Sequence, residues 1–148
     1  MCSAPKEYES GPPVKRIMNF RGRNARYFKA ARKAAHLSAA ADYKHGAILV
    51  KGGSILNTSP NKNNFCSFGA RFRNDLPGIP TLHAELGAIL GISREMTAGS
   101  TIYVCRVGKS GVFKLSKPCP MCVAAMRYVG IKRVVWSVDE HSCAMARL

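Results

Sequence analysis

Two short segments, far apart in the chain, do most to limit how it can fold. One is Thr81-Leu82-His83-Ala84-Glu85-Leu86, the other Lys117-Pro118-Cys119-Pro120-Met121-Cys122. Cys119 and Cys122 stand three apart in the first turn of a predicted helix over residues 118–130, so their side chains share a face. That helix has Pro near its start and Gly130 at its end, the asymmetry helices favour. His83 opens a second predicted helix over residues 83–91. A histidine and two cysteines form a borderline-soft donor set suited to tetrahedral zinc, and a helix N-terminus favours the thiolates that zinc needs. Three protein ligands leave the fourth position open to water, as in catalytic rather than closed structural sites.

Glu85 lies two residues beyond His83, near enough to reach a water in that fourth position without being a ligand itself. Zinc lowers the pKa of its water toward roughly 7, and Glu85 is the expected proton acceptor. Taken singly, each motif is weak. A Cys-x-x-Cys is often a redox or structural pair, and His-x-Glu is commonplace. Their conjunction at two predicted helix starts, with Pro118 directly before the first cysteine, is the signature of zinc-dependent nucleobase deaminases.

The rest of the sequence supplies the frame. Residues 1–20, punctuated by Gly11-Pro12-Pro13, read as a flexible basic arm ahead of a single domain over 21–148. A helix is predicted over 24–41, with Tyr27, Ala30, Ala31, Ala34 and Leu37 as its apolar stripe. Strands over 45–50 and 54–58 flank Lys51-Gly52-Gly53 as a hairpin. Residues 61–80 read as a long polar loop. A third strand over 101–107, a basic loop over 108–117 and a fourth strand over 133–138 follow, with Trp136 in the core. The last ten residues have no clear pattern. The order argues an α/β fold: a mixed sheet covered by helices on both faces.

His83-Ala84-Glu85-Leu86-Gly87-Ala88-Ile89-Leu90 together with Pro118-Cys119-Pro120-Met121-Cys122 resembles the cytidine deaminase-like superfamily. The likeness is greatest to cytidine and deoxycytidylate deaminases, and tRNA adenosine deaminases share the layout. The resemblance implies a three-layer α/β/α sandwich with a mixed central sheet, one zinc per subunit and self-association. It implies that an Asn after the second strand contacts the substrate sugar: Asn61, with Asn63 and Asn64 as rivals that otherwise make turns. It also implies that the backbone of Ala84 meets the base edge. Lys117, where many relatives have an acidic or small residue, joins Arg71 and Arg73 as candidates to bind a substrate phosphate at the entrance.

Charge bears on the substrate. The chain has 23 Lys and Arg against 8 Asp and Glu, a net +15. Between residues 15 and 33 stand Lys15, Arg16, Arg21, Arg23, Arg26, Lys29, Arg32 and Lys33 with no acid. Such a run attracts phosphates, or is simply a solvated helix face. Three readings follow: a deaminase of cytosine in a free nucleotide, an editor of cytosine or adenine within RNA or single-stranded DNA, and a non-catalytic zinc protein that binds nucleic acid. The third gives Glu85 no task. His45 reads as a structural histidine beside the first strand, and His36 and His141 as surface residues. Cys105 reads as buried in a strand, and Cys2, Cys66 and Cys143 as free thiols, consistent with a cytoplasmic protein that has neither signal peptide nor membrane span.

Overall fold

The computed structural model describes residues 12–40, 42–73 and 78–148. Strands β1 (Arg16–Asn19), β2 (Lys44–Lys51), β3 (Ser54–Pro60), β6 (Thr101–Val107), β7 (Phe113–Lys114), β8 (Arg133–Ser137) and β9 (Ser142–Arg147) form one sheet. Its order is β1-β9-β8-β6-β2-β3, with β7 paired to the end of β6. β6 and β8 run parallel and the other pairs antiparallel, so the sheet is mixed as expected. A small second ladder joins β4 (Lys62–Phe65) to β5 (Thr81–Leu82).

Alternation along the central strands sends side chains to two cores. Ile48, Val50, Tyr103, Cys105 and Val135 face helix α1 (Arg23–His36), where Tyr27, Phe28, Ala31 and Ala35 meet them. Ala47, Leu49, Ile102, Val104, Val134 and Trp136 face helices α3 (Ala84–Ile89) and α5 (Pro120–Tyr128) on the other side. The result is a sheet between helical layers. α1 seats closely on β2 because Gly46 has no side chain: a Cβ there would collide with Ala31 O and Ala35 N.

Several expectations need correcting. α1 ends at His36, not 41, and Leu37 is solvent-exposed rather than part of the stripe. Ser38 turns the chain away, its hydroxyl donating to Asn61 O and accepting from Ala40 N. Phe28 and Ala35 take the buried places instead. The segment 61–80 is not a plain loop: it holds β4 and the short helix α2 (Ser67–Ala70), capped by Cys66 Sγ accepting from Gly69 N. Within the expected arm, residues 1–11 lie outside the described residues, while 16–19 form β1 along β9. β9 itself is built from small residues of weak strand propensity, so pairing to β8 and β1 decides its state. α4 (Arg94–Thr97) and β7 are short elements that the sequence pattern does not mark.

Candidate metal centre and cleft

α3 and α5 lie side by side, and their first turns meet. His83 caps α3 from extended backbone at φ −69°, ψ 152°. Cys119 does the same for α5 at φ −78°, ψ 164°, with Pro120 next. Pro120 suits the first helical position, where its missing N–H costs no bond. Cys122 then falls on the same face as Cys119, one turn in. α3 sits against β3 through Gly87, where a Cβ would run into Ser59.

These elements bring three donors together. His83 Nδ1 lies 3.1 Å from Cys122 Sγ and 3.6 Å from Cys119 Sγ, and the two sulfurs are 3.7 Å apart. Tetrahedral zinc with ordinary Zn–S and Zn–N lengths sets ligand atoms about 3.8 Å apart for S and S and about 3.6 Å for S and N. Two of the three separations match that ion and the third, Cys122 to His83, is shorter; the three are the one such donor group among the described residues. Burial holds His83 down to about 4, so its ring is neutral at pH 7 and can offer a lone pair. Glu85, in the first turn of α3, is buried beside them. Desolvation raises its pKa, opposed by bonds to its own backbone N–H and to Cys122.

A cleft of about 30 Å³ adjoins the triad, lined by His45, His83, Ala84, Glu85, Ser116, Lys117 and Cys119. That volume holds a water or two. Of the sequence-derived candidates, Ala84, Glu85 and Lys117 are thus at the cleft. Asn61 is not among its lining residues. It is fully buried, its Oδ1 accepting from His45 N at 2.9 Å and its Nδ2 donating to Tyr43 O at 3.0 Å. Arg73, half-buried, is near enough for its charge to help lower His83. Arg71 instead stands over the rings of Phe68, Phe72 and Tyr128, 5.0 Å from the last.

The sequence profile of the cytidine and deoxycytidylate deaminase zinc-binding region matches residues 22–138. The chain belongs to that family. Among solved structures, a dCMP deaminase from the cyanophage S-TIM5, in its apo form, superposes with a TM-score of 0.55 at 26% identity, covering 77% of this chain and 81% of that one. RibD from Acinetobacter baumannii gives a TM-score of 0.49 at 17% identity over 78% of this chain and 28% of that one. Comparison with curated proteins gave no match. Among the described residues, no helix is long and apolar enough to cross a membrane.

The sequence reading missed two cleft residues of this family member. His45, read as a structural histidine and absent from the donor group, also lines the cleft, because β2 carries it to the end of the sheet where the triad lies. Its Nδ1 is 2.9 Å from Tyr43 O, an acceptor only, so Nδ1 carries the proton and Nε2 is bare. Ser116 lines the cleft too, its Oγ donating to Val104 O at 3.0 Å. No motif spacing flags either residue.

Proposed function

We propose that this chain is a zinc-dependent hydrolytic deaminase that converts cytosine to uracil in a free nucleotide of the cytidine or deoxycytidylate type. The observation that carries the reading is the meeting of His83, Cys119 and Cys122 with a buried Glu85 at their side. His83, Cys119 and Cys122 would hold the zinc, which when bound supplies Lewis acidity that brings the pKa of water toward about 7.

The chain's own groups do the rest. Glu85 takes a proton from the attacking water and delivers it to the ring nitrogen. The water oxygen bonds to the ring carbon that bears the amino group. As that C–N bond breaks, Glu85 moves the second proton from the new hydroxyl to the amine, so the oxygen stays on the ring as a carbonyl and ammonia leaves. Burial favours a carboxyl that can hold that proton between steps. Ala84 lines the cleft, and its backbone would meet the base edge there. The half-buried Lys117 stands at the wall of that cleft, where it can meet an entering substrate. The net charge of +15 favours a second reading, deamination within RNA or single-stranded DNA.

The test is ammonia release by the zinc-loaded protein offered cytidine, CMP, dCMP, single-stranded DNA and RNA side by side. Glu85→Ala serves as the blank and should keep zinc while losing turnover. Turnover of free nucleotides supports the reading. Turnover of polymers alone, falling as salt rises, replaces it with the second. An active Glu85→Ala protein removes the mechanism.

A further inference from the structure

The basic helix α1 lies on the sheet face opposite the metal-ligand triad, and the surface around it is built unlike a merely solvated face. α1 packs over β2, β3 and β6. Toward β8, β9 and β1 the cover thins: Val135 and Met145 join the apolar cluster under α1, but among the described residues α1 packs mainly on β2, β3 and β6. This leaves a groove of about 400 Å³ with Val135, Met145 and Tyr103 in its walls. Arg16, Arg21, Arg23, Lys51 and Arg133 line it, and among the described residues no acid does. The Nε of Arg133 is buried and, among the described residues, has no hydrogen-bond partner.

A second hollow, of about 410 Å³, opens at the other end of α1 beside His36. Lys44, Arg106, Lys109 and Lys114 line it, with Asp42 as its one acid, paired to Lys109 at 3.8 Å. Here too an arginine Nε, that of Arg106, is buried and has no hydrogen-bond partner among the described residues. The Arg106 guanidinium lies 4.2 Å from the ring centre of the exposed Tyr43. Arg106 is the register partner of His45 across β2 and β6, and its charge helps lower His45. The second hollow therefore adjoins the cleft.

Between the hollows run the 14 residues of α1, about 21 Å of helix, with Arg26, Lys29 and Lys33 exposed. That span matches about six phosphates of a stacked strand at roughly 3.4 Å each. A mononucleotide fills one hollow and leaves the other cations idle. A second copy of the chain would set like charges face to face in a symmetric contact. We infer that the α1 face is a binding track for a single-stranded nucleic-acid backbone, running from the groove at Arg23 and Arg133 along α1 to the hollow at Arg106 beside the cleft. Tyr43, at the cleft end, offers a ring on which a base can stack. The track stands whether or not Glu85 turns over a base, so it goes beyond the proposed activity.

The experiment is fluorescence anisotropy of a labelled oligo-dT of about 12 nucleotides, a length within the usual single-strand site size, with the full-length zinc-loaded chain over a salt series. The strand has no cytosine, so catalysis does not enter. The variants are Arg23→Ala/Arg133→Ala for the groove and Arg106→Ala/Lys114→Ala for the hollow. Arg94→Ala/Arg127→Ala, on α4 and α5, removes the same charge elsewhere. Each track pair should weaken binding about tenfold at moderate salt and lower the slope of log K against log salt by about 1.4, two single-strand phosphate contacts. The control pair should change affinity less than about twofold.

Arg23→Gln alone guards against a folding artefact, since a cation in the first turn of a helix does not stabilise it. It should lower the slope by about 0.7. Equal losses in all three pairs, no binding by the parent chain, or displacement of the strand by a nucleoside triphosphate at equal affinity would each overturn the track.

Discussion

His83 Nδ1 lies 3.1 Å from Cys122 Sγ, although 39 positions of chain separate them. With Cys119 Sγ 3.6 and 3.7 Å from these two atoms, one ion can tie α3 to α5. Metal binding should then be folding energy. At a free zinc concentration about 100 times Kd, linkage gives about 2.7 kcal/mol of added stability. Thermal unfolding with zinc and with EDTA should show this as a rise in Tm. Cys122→Ala should abolish the rise while Glu85→Ala keeps it. An unchanged zinc response in Cys122→Ala would mean the ion binds elsewhere.

Asn61 joins the end of β3 to the start of β2, and both ends of its amide are spoken for: Oδ1 by His45 N, Nδ2 by Tyr43 O. Asn61→Ala would strand a backbone N–H and a carbonyl near the cleft, at a cost of about 1–3 kcal/mol. Urea unfolding should show that loss. If the residue also contacts a substrate sugar, as the family resemblance implies, KM for a nucleotide should rise as well. A variant with parental stability would contradict the clamp.

The triad was legible because its geometry is local. Two cysteines three apart at a helix start and a histidine at another are written in the spacing, and the helix starts at Ala84 and Pro120 fell within two residues of expectation. So were β2 and β6, read from their apolar and β-branched runs, and β3, read from the Gly52-Gly53 turn before it. What escaped depends on tertiary partners. β9 gains its state from β8 and β1, not from Ser142-Cys143-Ala144-Met145-Ala146-Arg147. β4 is exposed at all four residues, so it shows no alternation. His45 reached the cleft through strand order, and Asn61 turned inward through backbone partners that no sequence window contains.

Arg73 and Lys117 are two cations placed near the triad. Lys117 lines the cleft, and the Arg73 charge reaches His83. If they receive a substrate phosphate, the loss on removing one should depend on the substrate. Arg73→Ala should raise Kd for CMP or dCMP about tenfold or somewhat more, the worth of a charged hydrogen bond, and leave cytidine unchanged. Isothermal titration with the Glu85→Ala background avoids turnover. Equal weakening for nucleotide and nucleoside would assign Arg73 to shaping the cleft instead.

His45 should make the fold acid-sensitive. Burial holds it down to about 4, with the charge of Arg106 adding to the effect, against a bond to Tyr43 O that opposes it. In the unfolded chain it titrates near the ordinary 6.5, so between these values the unfolded state binds a proton that the folded state does not. Stability rises with pH wherever the unfolded state holds more protons. The contribution is therefore complete above about pH 6.5 and is lost as pH falls toward 4, on the order of 3 kcal/mol in all. His83 shifts in the same direction, so the parent curve alone does not isolate His45. The difference between the parent and His45→Gln does. Measured by urea unfolding in EDTA at pH 7 and pH 4.5, the parent should lose more stability than the variant over that interval. Parallel losses would show that His45 takes up its proton as readily folded as unfolded, and that Nε2 is open to solvent rather than held neutral in the cleft.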